Sequence, residues 1–267
     1  EGTIVGGGHE DEVIAYMRRI GVTQDNLDFY IGTHPHSDHV GSAVQIIREF
    51  HPKTIYLPEY DDDLITVPEF LWDNQYVYDR FLEAANWAQG EYGARFIQHL
   101  GLSDDGGEDS AYGSPIFEHG GAKIEIMNYD ETYLKTKVPD ANYFSYGVKV
   151  TAGNGRSAFL AGDINNYTDG DGNGDEDRLK GAIGAVDLLK MGHHGFAGSN
   201  SPGYLRAILK ANQGEDRCVV VQTGYYSSIP RETLDVMNEK GVRYFSTPDM
   251  KKTDKGALVA DLTSTGV

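Results

Sequence analysis

Three histidines and one aspartate fall within six positions of the stretch IGTHPHSDHVGS, residues 31–42. Imidazole with carboxylate is a ligand set that suits zinc, and manganese or iron as alternatives. His34 and His36 are two apart, so in an extended tail both side chains leave on the same side. Asp38 and His39 follow where the chain is expected to turn into a helix. Two imidazoles then reach one ion, and a carboxylate with an imidazole reaches a second ion beside it. The chain has nine histidines, and five of them (His34, His36, His39, His193 and His194) sit in two short stretches, each ending an apolar run. A lone histidine would read as a surface residue. Five in two such places read as a metal site.

A second, weaker signal is TDGDGNGDED, residues 168–177. Asp169, Asp171, Asn173 and Asp175 alternate there as the first four oxygen ligands of a calcium loop do, with glycines for the turn. The twelfth position of an EF-hand would be Glu and is Lys180 here. The full loop is therefore absent, and Glu176 or Asp177 would have to substitute. A solvated acidic turn is the competing reading. The single cysteine, Cys218, allows no intramolecular disulfide. In CVVVQT it reads as a small buried hydrophobe.

Strand-like and helix-like segments alternate around these residues. Helical spacing of Val13, Ile14, Met17 and Ile20, with acids at the start and Gly21 as a stop, predicts a helix over 10–21. Residues 27–33 (LDFYIGT) read as a buried strand that ends at the histidine cluster. Residues 39–50 read as a helix, 53–60 as a strand and 74–93 as a longer helix. AKIEIMN and SYGVKVTA alternate apolar and polar residues, as half-buried antiparallel strands do. SAFLAGD, VDLLKMG, RCVVVQT and VRYFST read as further strands. Ser201 as cap and Pro202 at the first helical position open a helix between the second and third of these. GALVADLTS closes the chain as another strand-like run. The pattern predicts an α/β protein, a four-layer αββα sandwich of two mixed sheets flanked by helices. No linker divides it, so residues 1–267 are expected to form a single domain.

The formal net charge of −18 argues against nucleic acid as the partner, because phosphate neutralisation supplies most of that affinity. No run approaches the roughly 18 apolar residues that a membrane-spanning helix needs.

THPHSDH resembles the HxHxDH signature of the metallo-β-lactamase superfamily. AFLAGDI (158–164) is similar to the superfamily strand that delivers a metal-bridging aspartate, here Asp163. LLKMGHHGFAGSNS (188–201) is similar to its strand-end histidine motif, in the GHHG form of the competence-type DNA-processing and phosphorylcholine esterase branches. The resemblance implies that His34 and His36 hold one metal ion and Asp38 and His39 the other. Asp163 bridges them and His194 completes the set. Either His193 or His194 is the ligand, and the other is left to act on the substrate. Many members carry one more ligand histidine between the first motif and the bridging aspartate. His51, His99 and His119 are the residues of that type here, and all three read as structural, His119 in a hairpin turn. An aspartate usual in the opening strand is missing from TIVGGGHE, and the superfamily's first strands are expected to be lacking.

The implied function is a binuclear metal-dependent hydrolase with two zinc ions and a metal-bridging hydroxide as nucleophile. Phosphodiesters are the expected substrate, on small molecules or cell-surface groups of the phosphorylcholine type. Asp38 would orient the nucleophile and His193 would stabilise developing charge. Tyr225, Tyr226, Trp72, Trp87 and Tyr78 are candidates for an aromatic cage around a quaternary ammonium group. A competence-type nuclease, a lactone or ester hydrolase and a non-catalytic metal-stabilised binding module are the alternatives. An extracellular or cell-surface location is expected, since calcium is abundant there.

Overall fold

The computed structural model describes residues 10–100, 113–128, 137–166, 174–214, 216–224, 229–249 and 257–263. The chain separates into two compact units, Glu1–Leu100 with Asp130–Ser145, and Gly101–Tyr129 with Tyr146–Val267.

The first unit is a parallel three-stranded sheet, β1 (Phe29–Ile31), β2 (Thr54–Tyr56) and β3 (Arg95–Ile97), in that order. Its helices are α1 (Glu10–Arg19), α2 (Ser37–Val40), α3 (Ala43–Phe50) and α4 (Asn74–Tyr92). Ala84, Ala85 and Ala88 of α4 are fully buried in one cluster with Ile47, Ile55, Leu57 and Phe81. Alanine at those positions lets the helix backbone come close to its neighbours. α4 stops at Gly93, whose φ of 77° is cheap only for glycine. The helix expected over 39–50 begins earlier, at Ser37, and breaks at Gly41–Ser42 into α2 and α3. Asp38 and His39 therefore lie in a helical turn, not in a loop before it. α1 forms where the periodicity predicts it, yet Val13 and Ile20 are 43% and 58% exposed. Its Arg18 pairs with Glu49 on α3.

A later segment also belongs to this unit. Val138 pairs with the backbone around Ile65, with Thr66 N donating to Val138 O at 2.8 Å and Val138 N to Leu64 O at 2.8 Å. That anchoring carries Asp140 into the first unit.

The second unit is a seven-stranded sheet in the order β10-β9-β8-β7-β6-β5-β4. Its strands are β4 (Gly113–His119), β5 (Ala122–Met127), β6 (Gly147–Thr151), β7 (Ser157–Leu160), β8 (Leu188–Lys190), β9 (Val219–Gln222) and β10 (Arg243–Ser246). Strands β4 to β7 pair antiparallel and β7 to β10 parallel. The mixed sheet expected from the sequence is this one; the described strands of the smaller sheet are all parallel. Gly120 and Gly121, both at positive φ, close the β4–β5 hairpin. His119 ends β4 beside that turn, as expected.

Helices α5 (Asp175–Ile183), α6 (Pro202–Ile208) and α7 (Arg231–Lys240) complete the second unit. Period-two alternation sorts the parallel strands. Phe159, Leu189 and Val220 pack with Leu179, Ile183, Leu205 and Val236, whereas Ala158, Leu188, Val219 and Val221 form a separate cluster with Phe245 and Leu262. Cys218 is buried, and burial pushes its thiol up to about 12, as suits a packing residue. The described part of the closing segment, 257–263, forms no strand.

Together these elements make a mixed α/β fold of two sheets with flanking helices. Among the described residues, no helix is long and apolar enough to cross a membrane.

Candidate metal centre

In the first unit, β1 ends at Ile31 and the chain runs out from its C-terminal edge into α2. His34 and His36 are buried, and their ligand atoms lie within 4.8 Å of each other. Their rings are 4.6 Å apart, and the ring of His39 is 4.3 Å from that of His34. Asp38 and His39 are partly exposed, with His39 Nε2 3.6 Å from Asp38 Oδ2. Thr33 was not singled out in the sequence, yet its hydroxyl lies 3.0 Å from His34 Nδ1 and 3.4 Å from His39 Nδ1. That contact directs the Nε2 edge of both rings away from Thr33, which is how an outer hydrogen bond fixes a ligand imidazole. His36 Nε2 is buried and makes no hydrogen bond. Such an orphan is costly unless a cation takes its lone pair. The donor set and this orphan both fit a metal ion.

In the second unit the site lies past the C-terminal ends of the parallel strands β7, β8 and β9, the edge where open α/β sheets bind ligands. Asp163 follows β7 and is 1% exposed. His194 follows β8, is buried, and its Nε2 lies 3.6 Å from Asp163 Oδ2. His194 Nδ1 lies 2.9 Å from Thr223 O, just past β9. A carbonyl can only accept, so Nδ1 carries the hydrogen and Nε2 is left with the lone pair. His193 is partly exposed, its ring 6.3 Å from that of His194 and 5.3 Å from that of Phe196.

His193 and His194 both sit at positive φ, 45° and 54°. Each such residue costs about 1–3 kcal/mol and persists only where its surroundings over-determine it. Here they do. Asn200 accepts from Gly192 N at 3.0 Å and donates to Gly192 O at 2.8 Å. Gln222 Nε2 donates to His194 O at 2.9 Å. Asn200 N in turn donates to the buried carboxylate of Glu176, which also accepts from Ser201 N at 2.9 Å. Burial holds the Glu176 carboxyl up at about 7. Lys190, inside the quoted motif but given no role there, lies 3.7 Å from Asp163 Oδ1 and donates to Gly162 O at 2.8 Å. It sets a positive charge beside the buried aspartate.

Gly224 has φ +82, and a Cβ there would lie 2.7 Å from His194 Nδ1. Gly224→Ala is therefore expected to displace the His194 ring from Thr223 and weaken metal binding by roughly 10–100-fold, the usual cost of losing an outer-sphere partner. Metal titration of the purified variant checks this, and unchanged affinity would mean that the ring has room to shift.

Several expected residues fall elsewhere. Asp169, Asp171 and Asn173, like Tyr225 and Tyr226, lie outside the described residues. Asp175 opens α5, is buried, and accepts from Arg178 Nη2 at 2.8 Å. Trp87 and Tyr78 are packing residues: Trp87 lies against His51 and Arg48, and Tyr78 is 3% exposed and bonded to Gln98. Trp72 differs. It is 64% exposed, and its ring lies 5.0 Å from that of His36 and 5.8 Å from that of Phe70. His51 stacks on Tyr92 at 4.4 Å, and His99 is an exposed residue 3.5 Å from Glu59.

Residues 4–113 match the family model described as the metallo-beta-lactamase superfamily. In composition the His/Asp sets of this chain fit a binuclear metal site. A solved structure from Cronobacter sakazakii (Enterobacter sakazakii), a metallo-beta-lactamase with a HARLDQ motif, is similar at 12% identity with a TM-score of 0.36. The match covers 68% of this chain and 62% of that one, so the chain spans less than two thirds of its length. No curated protein matches this chain.

Proposed function

We propose that this protein is a binuclear metal-dependent phosphodiesterase, with the two units serving one hydrolase domain. The observation that carries the reading is the buried, preset His34–His36 pair with Asp38 and His39 in the next helical turn. By the resemblance of their motifs, Asp163 and His194 would serve as further metal ligands. Zinc suits the donors best, with manganese or iron as alternatives. Bound ions would bring the pKa of a water down to about 7 and stabilise charge on a phosphoryl oxygen. Asp38 would orient the attacking oxygen by accepting its hydrogen bond. His193 would donate to the phosphoryl oxygen as negative charge builds there. Lys190 would hold Asp163 ionised and aimed.

Diester substrates are favoured by the GHHG form of the second motif. Trp72 and Phe70 support a cationic alcohol on the leaving side, because an exposed aromatic face beside His36 attracts a quaternary ammonium group. The net charge of −18 disfavours polynucleotides. A phosphorylcholine-type surface group and an extracellular or cell-surface location follow as parts of the same proposal.

The test is turnover by the zinc-loaded protein of bis-p-nitrophenyl phosphate, p-nitrophenyl phosphorylcholine and a simple lactone. Diester hydrolysis with the lower KM on the choline substrate is the expected result. Lactone turnover without diester turnover would overturn the phosphodiesterase reading and leave the ester-hydrolase one.

A further inference from the structure

We propose that Asp140 is a third protein ligand to the ion held by His34 and His36, a carboxylate in the role for which many relatives use a histidine. This rests on the reading of His34 and His36 as ligands.

Asp140 Oδ1 lies 3.3 Å from His36 Nε2, with the two side chains only 10% and 5% exposed. At that distance a protonated Nε2 would be expected to donate to the carboxylate, yet the nitrogen makes no hydrogen bond. The carboxylate oxygen therefore lies off the direction in which Nε2 points, as two ligand atoms aimed at one common point do. A buried arrangement of that kind is favourable when a cation occupies the shared point. The spacing agrees. Ligand atoms about 2.0–2.1 Å from a tetrahedral zinc are separated by roughly 3.3–3.4 Å along each edge. His36 Nε2 and Asp140 Oδ1 therefore stand as two corners of one coordination tetrahedron.

The carboxylate is also preset. Asp140 caps the short helical turn Ala141–Phe144, accepting from Asn142 N at 3.1 Å and from Asn142 Nδ2 at 3.3 Å. Both residues are buried, and the Val138–Ile65 bridge fixes the segment that leads into them. A divalent ion would balance the charge of this buried aspartate. The three other histidines between the first motif and Asp163 are engaged elsewhere: His51 on Tyr92, His99 by Glu59, and His119 at the β4–β5 hairpin. Asp140 falls in the same interval of the chain. A carboxylate there adds negative charge, which shifts preference toward harder ions such as manganese or iron(II) relative to an all-histidine set.

The experiment measures metal content and affinity, and the absorption spectrum of the cobalt(II)-substituted protein, for wild type, Asp140→Ala, Asp140→Asn, Asp140→His and His36→Ala. Circular dichroism of each apo-protein checks the fold. Asp140→Ala is expected to lose one of two ions, with affinity for it down by more than about 100-fold, beyond what an outer-sphere partner costs. Asp140→His should restore binding and shift the cobalt bands, because nitrogen replaces oxygen in the coordination sphere. Wild-type affinity and an unshifted spectrum in both Asp140→Ala and Asp140→His would overturn the assignment. If His36→Ala also binds metal as wild type does, the metal-centre reading itself has failed; if only the Asp140 variants are unaffected, the failure belongs to this inference alone.

Discussion

Asp163→Asn is expected to lower phosphodiester hydrolysis by at least about 10³-fold, the cost of removing a principal electrostatic group. Asparagine keeps the size of the side chain and one acceptor oxygen, so the change isolates charge from packing. The native carboxylate is 1% exposed and faces His194 and Lys190. Deleting its charge leaves the Lys190 ammonium without its nearby anion and, in the proposed centre, two cations with less negative charge between them. The fold should persist, because Asp163 lies past β7 and its backbone turn is closed by Ile164 N donating to Ala161 O at 3.1 Å. The readout is kcat/KM with metal content measured on the same sample. His119→Ala is the control; its position at the β4–β5 hairpin predicts nearly full activity. Activity kept in Asp163→Asn and lost in His119→Ala would move the centre to a set that includes His119.

Stripping metal is expected to abolish activity and to lower the melting temperature together. The His36 Nε2 orphan and the buried Asp140 and Asp163 carboxylates are groups that burial penalises unless an ion neutralises them. An ion present at a thousandfold over its dissociation constant stabilises by about 4 kcal/mol. At about 2–4 °C per kcal/mol for a domain of this size, the shift should be roughly 10 °C. Scanning calorimetry before and after dialysis against a chelator measures it, and added zinc should restore both properties. A melting temperature indifferent to chelator, with activity retained, would count against the metal centre.

The local grammar of the chain was readable because it rests on near-neighbour physics. Apolar runs of strand length, the periodicity of α4 and its Gly93 stop, and Pro202 after Ser201 each produced the expected element. The density of histidine and aspartate at 34–39 was informative for the same reason: ligands two to five residues apart on one turn need no knowledge of the rest of the fold. The readings that missed turned on what surrounds a segment. One helix was expected over 39–50, and the chain instead starts the helical turn at Ser37 and breaks at Gly41–Ser42. The apolar row of α1 predicted the helix and said nothing of Val13 and Ile20 staying open to solvent.

The sequence by itself therefore determined the α/β class, the candidate ligand motifs and their order along the chain. Tertiary structure alone decided which atoms those side chains present. Thr223 O turns His194 so that Nε2 faces Asp163, and Thr33 does the corresponding work for His34. Asn200 and Glu176 hold a strained histidine pair from about seven and about eighteen residues away. Asp140, about a hundred residues from His36, reaches it only because Val138 pairs with the backbone at Ile65. Periodicity encodes what a residue does to its own helix or strand. Contacts made across such separations depend on loop closure and packing, and those leave no mark in the spacing of residues.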